Sequence, residues 1–357
     1  MPKAPALPRT ANDSKNFAVI GAGIAGITCA RTLAQAGHTV TVLEKSAGLG
    51  GRMSTRSSAF GTFDHGAQYF TVRDARFAKA LETVPNLCKR WSASAVQVLD
   101  ELGRVAAAGL PARESHWVPA PGMNALIKAW AKPLVQGQQL ESQTKVTAIE
   151  ADPLNPAQWQ LRTMGADDSQ HVFSGFDGVL LAIPAAQAQH LLSGLKKTSA
   201  MAAQLDTVKV APCWTLMLAF PQAMQPNLSA LGPQWNAARS THHRIAWLAR
   251  ESSKPGRGAV ERWTVQASAA WSQEHLQDDA PRVQAKLLKA FSEITGIRAE
   301  PAHIDTQRWL YAQTTQPLGK THLWDAKSGI GACGDWCIGH RVEDAFVSGL
   351  ELALDVA

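Results

Sequence analysis

FAVIGAGIAG, Phe17–Gly26, decides the fold. Its four apolar residues read as a short buried strand, and Gly21, Gly23 and Gly26 follow at once in the spacing G-x-G-x-x-G. Apolar Ile24, Ile27, Ala30, Leu33 and Ala34 then recur at helical spacing as far as Gly37, and Thr39-Val40-Thr41-Val42-Leu43 alternates as a second strand. Gly21 permits the tight turn, Gly23 lets the backbone approach a pyrophosphate, and Gly26 lets helix pack on strand. The helix N-terminus, with Ile24 and Ala25, offers free N–H groups and the positive end of the helix dipole to phosphates. Glu44 stands 23 residues after Gly21, at the tip of the second strand, where an acid accepts hydrogen bonds from an adenosine ribose. A glycine triplet alone is weak, but strand, helix, second strand and acid agree, and together they predict a dinucleotide site.

Working outward, 357 residues suffice for roughly two domains at about 150 residues each. With 45% hydrophobic and 18% charged residues the composition is that of an ordinary soluble globular protein. The formal charge of +6 comes without any run of five or more like charges, which argues against a nucleic-acid footprint and suits anionic small ligands. Five scattered cysteines argue against a secreted disulfide framework and for a reducing, cytoplasmic setting. Residues 1–16 lack an apolar core and are expected to be a disordered lead-in. No apolar run approaches the roughly 20 residues of a membrane span. His242-His243 lacks the partner pattern of a metal site, so none is expected.

NAD and FAD stay open until GLGGR, residues 48–52. A second glycine cluster ending in Gly51 and Arg52 puts another turn and a cation just past the ribose acid. Arg52 is favoured as a second pyrophosphate contact over an exposed loop arginine, because the chain runs on through Met53 into FDHGAQYF, with Gly66, Ala67, Gln68 and Tyr69.

The glycine motif followed by EKSAGLGGRMS resembles the entry of the flavin-containing amine oxidase superfamily, which includes the monoamine oxidases and carotenoid desaturases. Longer stretches narrow the likeness: FDHGAQYFTVRD (63–74), HWVPAPGMNAL (116–126), WLARESSKPGR (247–257), SAAWSQEHL (268–276), RWLYAQ (308–313) and CGDWCIGHRVEDAFVSG (333–349) are similar to the bacterial renalases. The resemblance implies an α/β protein with a glutathione-reductase-type Rossmann FAD-binding domain and a substrate domain on a mainly antiparallel sheet plus helices. It implies non-covalent FAD and oxidation of the 2- and 6-dihydro isomers of NAD(P)H, with O2 reduced to H2O2. A monomer or weak homodimer, with no nucleic-acid or membrane partner, goes with it. The alternatives are an amine oxidase or desaturase on the same fold, and a non-catalytic FAD protein.

By the same likeness Gly334 and Asp335 lie on the ribityl chain, and Arg341, Val342, Glu343 and Ala345 open a last helix beside the isoalloxazine. Lys45 and Val146 belong to the cofactor set too. Gln68 is expected to position flavin or substrate, against the plainer reading of a buried amide satisfied by backbone. Twelve tryptophans against two tyrosines suggest an aromatic slot as well as core packing, and Trp247, Tyr69 and Tyr311 are singled out for it. The cluster Arg239, His242, His243, Arg244 is either a phosphate-facing patch or a solvated hairpin. Asp344 stands where relatives carry glycine; it either caps the helix or crowds reduced flavin. Cys333 and Cys337 are expected to be packed thiols.

Residues 17–75, 116–189 and 305–357 are assigned to the FAD domain, and 76–115 and 190–304 to the substrate domain. Strands are expected at 144–150, 159–163, 178–183, 213–220, 244–252 and 261–268, and a helix at 281–294.

Overall fold

A computed structural model of the chain describes residues 14–92, 96–107, 114–224, 233 and 235–357. The lead-in expected at the N-terminus lies outside these residues up to position 13. Among the described residues one sheet has six strands, in the order Leu323–Asp325, Ile330–Ala332, Gly178–Leu181, Asn16–Ile20, Thr39–Leu43 and Leu140–Glu141. All pairs are parallel except the first. Such strands are covered on both faces and so read as unbroken apolar runs. Phe17 and Val19 join a core with the helices Ile24–Gln35, Asn124–Gln136 and Val342–Val356, while Ala18 and Ile20 face the helix Ala185–Leu192 and a three-stranded meander. That meander pairs Lys145–Ala151 with Trp159–Met164 and then Gln170–Phe176, all antiparallel.

The other large sheet has seven strands, in the order His303–Gln316, Lys209–Phe220, Glu261–Ala267, Ile245–Arg250, Ala237–Ser240, Gln97–Leu99 and Val105–Ala107. One face packs on the helix Ala280–Thr295. Asp279 caps that helix by accepting from the Arg282 N–H (2.8 Å), and Gly296, at φ 74°, closes it in the left-handed region. Its stripe Val283, Leu287, Phe291 and Ile294 meets Leu216, Leu218, Leu248 and Val265. The alternate residues turn to the opposite face, toward the six-stranded sheet.

Two expected boundaries move. His303–Gln316 is a strand of the seven-stranded sheet, paired from Ala219↔His303 to Lys209↔Gln316, and the chain rejoins the six-stranded sheet only at Leu323. Residues 76–115 divide as well. The helix Ala75–Glu82 buries Phe77 against Phe346 (ring centroids 4.8 Å apart) in the first core, whereas Gln97–Leu99 extends the second sheet. In both places a contiguous segment had been given to one domain although its alternation or apolar stripe matches the other. Among the described residues no helix is long and apolar enough to cross a membrane.

Candidate active site

Between the carboxyl ends of the parallel strands and the free face of the seven-stranded sheet lies a cavity of ≈1730 Å3. Ligand clefts of open α/β sheets form at such strand ends. Of the residues singled out from the sequence as cofactor or catalytic candidates, all but Gly26 and Glu343 line it.

The glycine turn explains itself sterically. Gly21 sits at φ 104°, and a Cβ there would lie 2.6 Å from the Ala182 carbonyl oxygen. A Cβ on Gly26 would be driven into the Gly21 carbonyl, so Gly26 serves helix-on-strand packing outside the cavity. Gly23 is the N-cap of Ile24–Gln35: no side chain caps the helix, its first turn holds no acid, and a Cβ on Gly23 would meet nothing within 4 Å. The orphan N–H groups of that turn are therefore open to an anion. Glu44, buried behind them, accepts the Ala22 N–H (2.8 Å) on one oxygen and the Ser46 N–H (2.9 Å) on the other. An ionised carboxylate keeps further lone pairs for a ligand hydroxyl.

Arg52, on the one-turn 3-10 helix Gly51–Met53, and Asp335, just beyond the strand Ile330–Ala332, form an ion pair on the cavity wall. Arg52 Nη1 donates to Asp335 Oδ2 (3.0 Å), which also accepts from Thr314 Oγ1 (3.2 Å). Cys333 and Cys337 are buried free thiols off the cavity. The Cys29 thiol beside it and burial push Cys333 well up; burial does the same to Cys337.

Glu343 corrects an expectation. Its carboxylate turns away from the cavity to accept the N–H groups of Arg73 (2.6 Å) and Asp74 (2.7 Å), tying the last helix to the start of Ala75–Glu82. Asp344 likewise faces backbone. Its Oδ2 accepts the N–H groups of His340 (3.0 Å) and Arg341 (2.9 Å), so it caps the helix and is absent from the cavity wall.

On the substrate side Gln68 is committed at both ends. Nε2 donates to the carbonyls of Asp64 and Gly66, and Oε1 accepts from Lys254 Nζ (3.1 Å). The amide therefore clamps its own loop, the plainer of the two readings. Behind it lies a set of charges the sequence reading left out. Lys254, with no exposed side-chain surface, also donates to Asp64 Oδ2 (3.2 Å) and Glu251 Oε1 (2.9 Å), and Arg257 donates to Asp64 Oδ2 (2.6 Å). Burial raises the Glu251 carboxyl, whereas Lys254 and Arg257 hold Asp64 low against its own desolvation. Glu251, Lys254 and Arg257 recur every third residue in ESSKPGR, a signal that could have marked one charged cluster.

The aromatic candidates gather on the wall. Tyr69 packs at 4.0 Å against His116 and stands 5.8 Å from Trp247, centroid to centroid, tilted to both. Trp309, another residue missed, stacks on His65 at 5.2 Å and donates its indole N–H to the His65 carbonyl (2.8 Å). Burial, then the charge of Arg56, lowers the His65 imidazole to about 4, so it is neutral at ordinary pH. Of the basic cluster, Arg239 reaches the cavity; His242 is buried and stacks on His243.

A Rossmann-like nucleotide domain whose strand-end cleft is roofed by a mainly antiparallel sheet has the architecture of a cofactor-dependent oxidoreductase. Residues 19–82 match the NAD(P)-binding Rossmann-like domain, and residues 109–357 match the flavin containing amine oxidoreductase family. The chain belongs to that family. It is similar over 44 residues (46% identity) to an L-amino-acid oxidase of Siganus canaliculatus, and over 58 residues (46%) to a 4,4'-diapophytoene desaturase of Staphylococcus haemolyticus. These stretches are 12% and 16% of this chain but only 8% and 12% of the two relatives. In fold it is similar to cyclohexylamine oxidase of Brevibacterium oxydans, with a TM-score of 0.71 and 11% identity over 96% of this chain and 98% of that one.

Proposed function

We propose that the protein is a renalase-like oxidase, acting in the cytoplasm, that returns the 2- and 6-dihydro isomers of NAD(P)H to NAD(P)+ with O2 as electron acceptor. The observation that carries this reading is the size of the cavity. At ≈1730 Å3 it exceeds the ~300–1,000 Å3 of a cleft for one ligand, leaving room for a dinucleotide-sized substrate beside FAD. Its planar aromatic wall of Trp247, Trp309, Tyr69 and Tyr311 suits a dihydropyridine ring better than a small aliphatic amine.

The residues present fit FAD. The uncapped N-terminus after Gly23 suits the pyrophosphate, Glu44 the adenosine ribose, Arg52 the phosphates and Asp335 the ribityl hydroxyls. Arg341, Val342 and Ala345, at the start of the last helix, bring its positive end toward the ring. Attachment is non-covalent in this reading: Cys213 on the wall has its thiol pushed up to about 11 by burial and carries little thiolate at neutral pH.

When bound, FAD supplies the hydride acceptor at N5 and the route for two electrons to O2. The substrate gives up hydride from C2 or C6 and regains pyridinium aromaticity, so the protein need supply no base. In sum, the dihydro isomer, O2 and one proton give NAD(P)+ and H2O2. The protein's part is to hold the ring near van der Waals contact and to keep water out.

An oxygen electrode tests this. Holoenzyme given 6-dihydroNAD is expected to consume one O2 and release one H2O2 for each NAD+ formed. Turnover of benzylamine, with the dihydro isomers untouched, would overturn the reading in favour of an amine oxidase.

A further inference from the structure

One row of residues crosses the cavity face of the seven-stranded sheet. Gln307 pairs with Thr215, Thr215 with Gln266, Gln266 with Trp247, and Trp247 with Arg239. Residues directly opposite on neighbouring strands share a face, so at ~4.8 Å per strand Arg239 stands one step beyond the indole of Trp247. Gln307, Gln266, Trp247 and Arg239 all line the cavity, and Thr215 is buried beneath them.

The polar groups of this row divide by what they hold. Gln266 Nε2 donates to the Gly66 carbonyl (2.7 Å), and Gln307 Oε1 accepts from Arg56 (2.7 Å). Trp247 Nε1 is buried with no acceptor. Among the described residues the Arg239 side chain has neither a hydrogen bond nor an ion pair. Of the wall's other arginines, Arg52, Arg56 and Arg73 are each spent on a carboxylate (Asp335, Asp305 and Glu114), Arg308 donates to the Leu276 carbonyl (2.9 Å), and Arg341 stands at the start of the last helix, where the ring is proposed to lie. The exposed, permanently charged guanidinium of Arg239, without an acceptor, leaves that end of the cavity open to anionic oxygens.

We infer that Arg239, one strand beyond the Trp247 ring, is the subsite that takes the pyrophosphate of the substrate and so sets its preference for dinucleotides. The identity of that anion rests on the dihydronicotinamide reading above; the existence of an anion subsite does not. Arg239 can hold two phosphate oxygens through its fork, while the ring of Trp247 lies one strand nearer the other aromatic side chains of the wall.

Two measurements on FAD-loaded enzyme, wild type and Arg239→Gln, test it. In calorimetric titration with inorganic pyrophosphate, loss of a charge-assisted contact is expected to weaken binding by about tenfold or more. In steady-state assays the substitution raises KM for 6-dihydroNAD by a similar factor at unchanged kcat, and leaves KM for 6-dihydronicotinamide riboside, which has the ring without phosphate, where it was. Equal pyrophosphate affinity in the two proteins overturns the inference, as does an equal rise in KM for both substrates. Pyrophosphate binding that depends on Arg239, in an enzyme that oxidises neither dihydro compound, upholds the subsite and overturns the substrate reading instead. Unchanged melting temperature and FAD content show that the variant is folded.

Discussion

The Lys254 ammonium, wholly buried, lies 3.1 Å from Gln68 Oε1 and 3.2 Å from Asp64 Oδ2, joining two distant segments beneath the cavity floor. Without Lys254 the buried Asp64 carboxylate keeps Arg257, but Gln68 Oε1 loses its donor and Glu251 Oε1 a charged one, and a buried acceptor left without a partner costs about 1–3 kcal/mol. Lys254→Met should therefore lower the urea midpoint steeply. Glu251→Gln should cost far less, because burial already favours the uncharged carboxyl there. Urea unfolding of both holoenzymes checks the order; equal losses would contradict the assigned charges.

His65 makes stability depend on acid. Its folded value, about 4, lies below the ordinary 6.5, chiefly through burial. Between those values the unfolded chain binds the extra proton. The contribution is therefore complete above pH 6.5 and is lost as the pH falls toward 4, on the order of 3 kcal/mol in all. Melting temperatures from pH 7 to 4 should fall less steeply in His65→Gln than in the wild type.

Arg52 and Asp335 hold each other on the wall where the cofactor's phosphates and ribityl chain are proposed to lie. Asp335→Asn loses charge on both counts. A hydrogen bond to a charged group contributes about 2 kcal/mol, so the FAD dissociation constant should rise roughly thirtyfold. Fluorescence titration of apoprotein with FAD reads this directly, and an unchanged constant would exclude Asp335 from the site.

Asp344→Gly separates capping from cofactor tuning. Loss of the two backbone hydrogen bonds should cost about 1 kcal/mol, read as a lower melting temperature. The reduction potential of the bound flavin should stay where it was, since the carboxylate turns to His340 and Arg341. A clear rise in potential would mean that Asp344 does repel reduced flavin.

The nucleotide half was legible because its determinants are local. Strand, glycine turn, helix and Glu44 fall within 28 residues, and the Gly26 contact lies within the turn itself, at the Gly21 carbonyl. What stayed hidden depends on residues far apart in the chain. Lys254 and Gln68 meet across 186 positions, and the row from Gln307 to Arg239 exists only once strand register is fixed. The sequence places residues from 305 on with the FAD domain, whereas the pairing of His303–Gln316 with Lys209–Phe220 makes this stretch an edge strand of the other sheet. Glu343 was given to the flavin by its place in a motif; which way a side chain leaves the first turn of a helix is settled by its partners, here the N–H groups of Arg73 and Asp74.

Anaerobic rapid mixing of the FAD-loaded protein with 6-dihydroNAD and, separately, with benzylamine is the most direct test. The expected result is fast bleaching of the visible flavin band by 6-dihydroNAD, with NAD+ formed in equal amount to the flavin reduced, and no bleaching by the amine. Bleaching by benzylamine alone would contradict the proposed function.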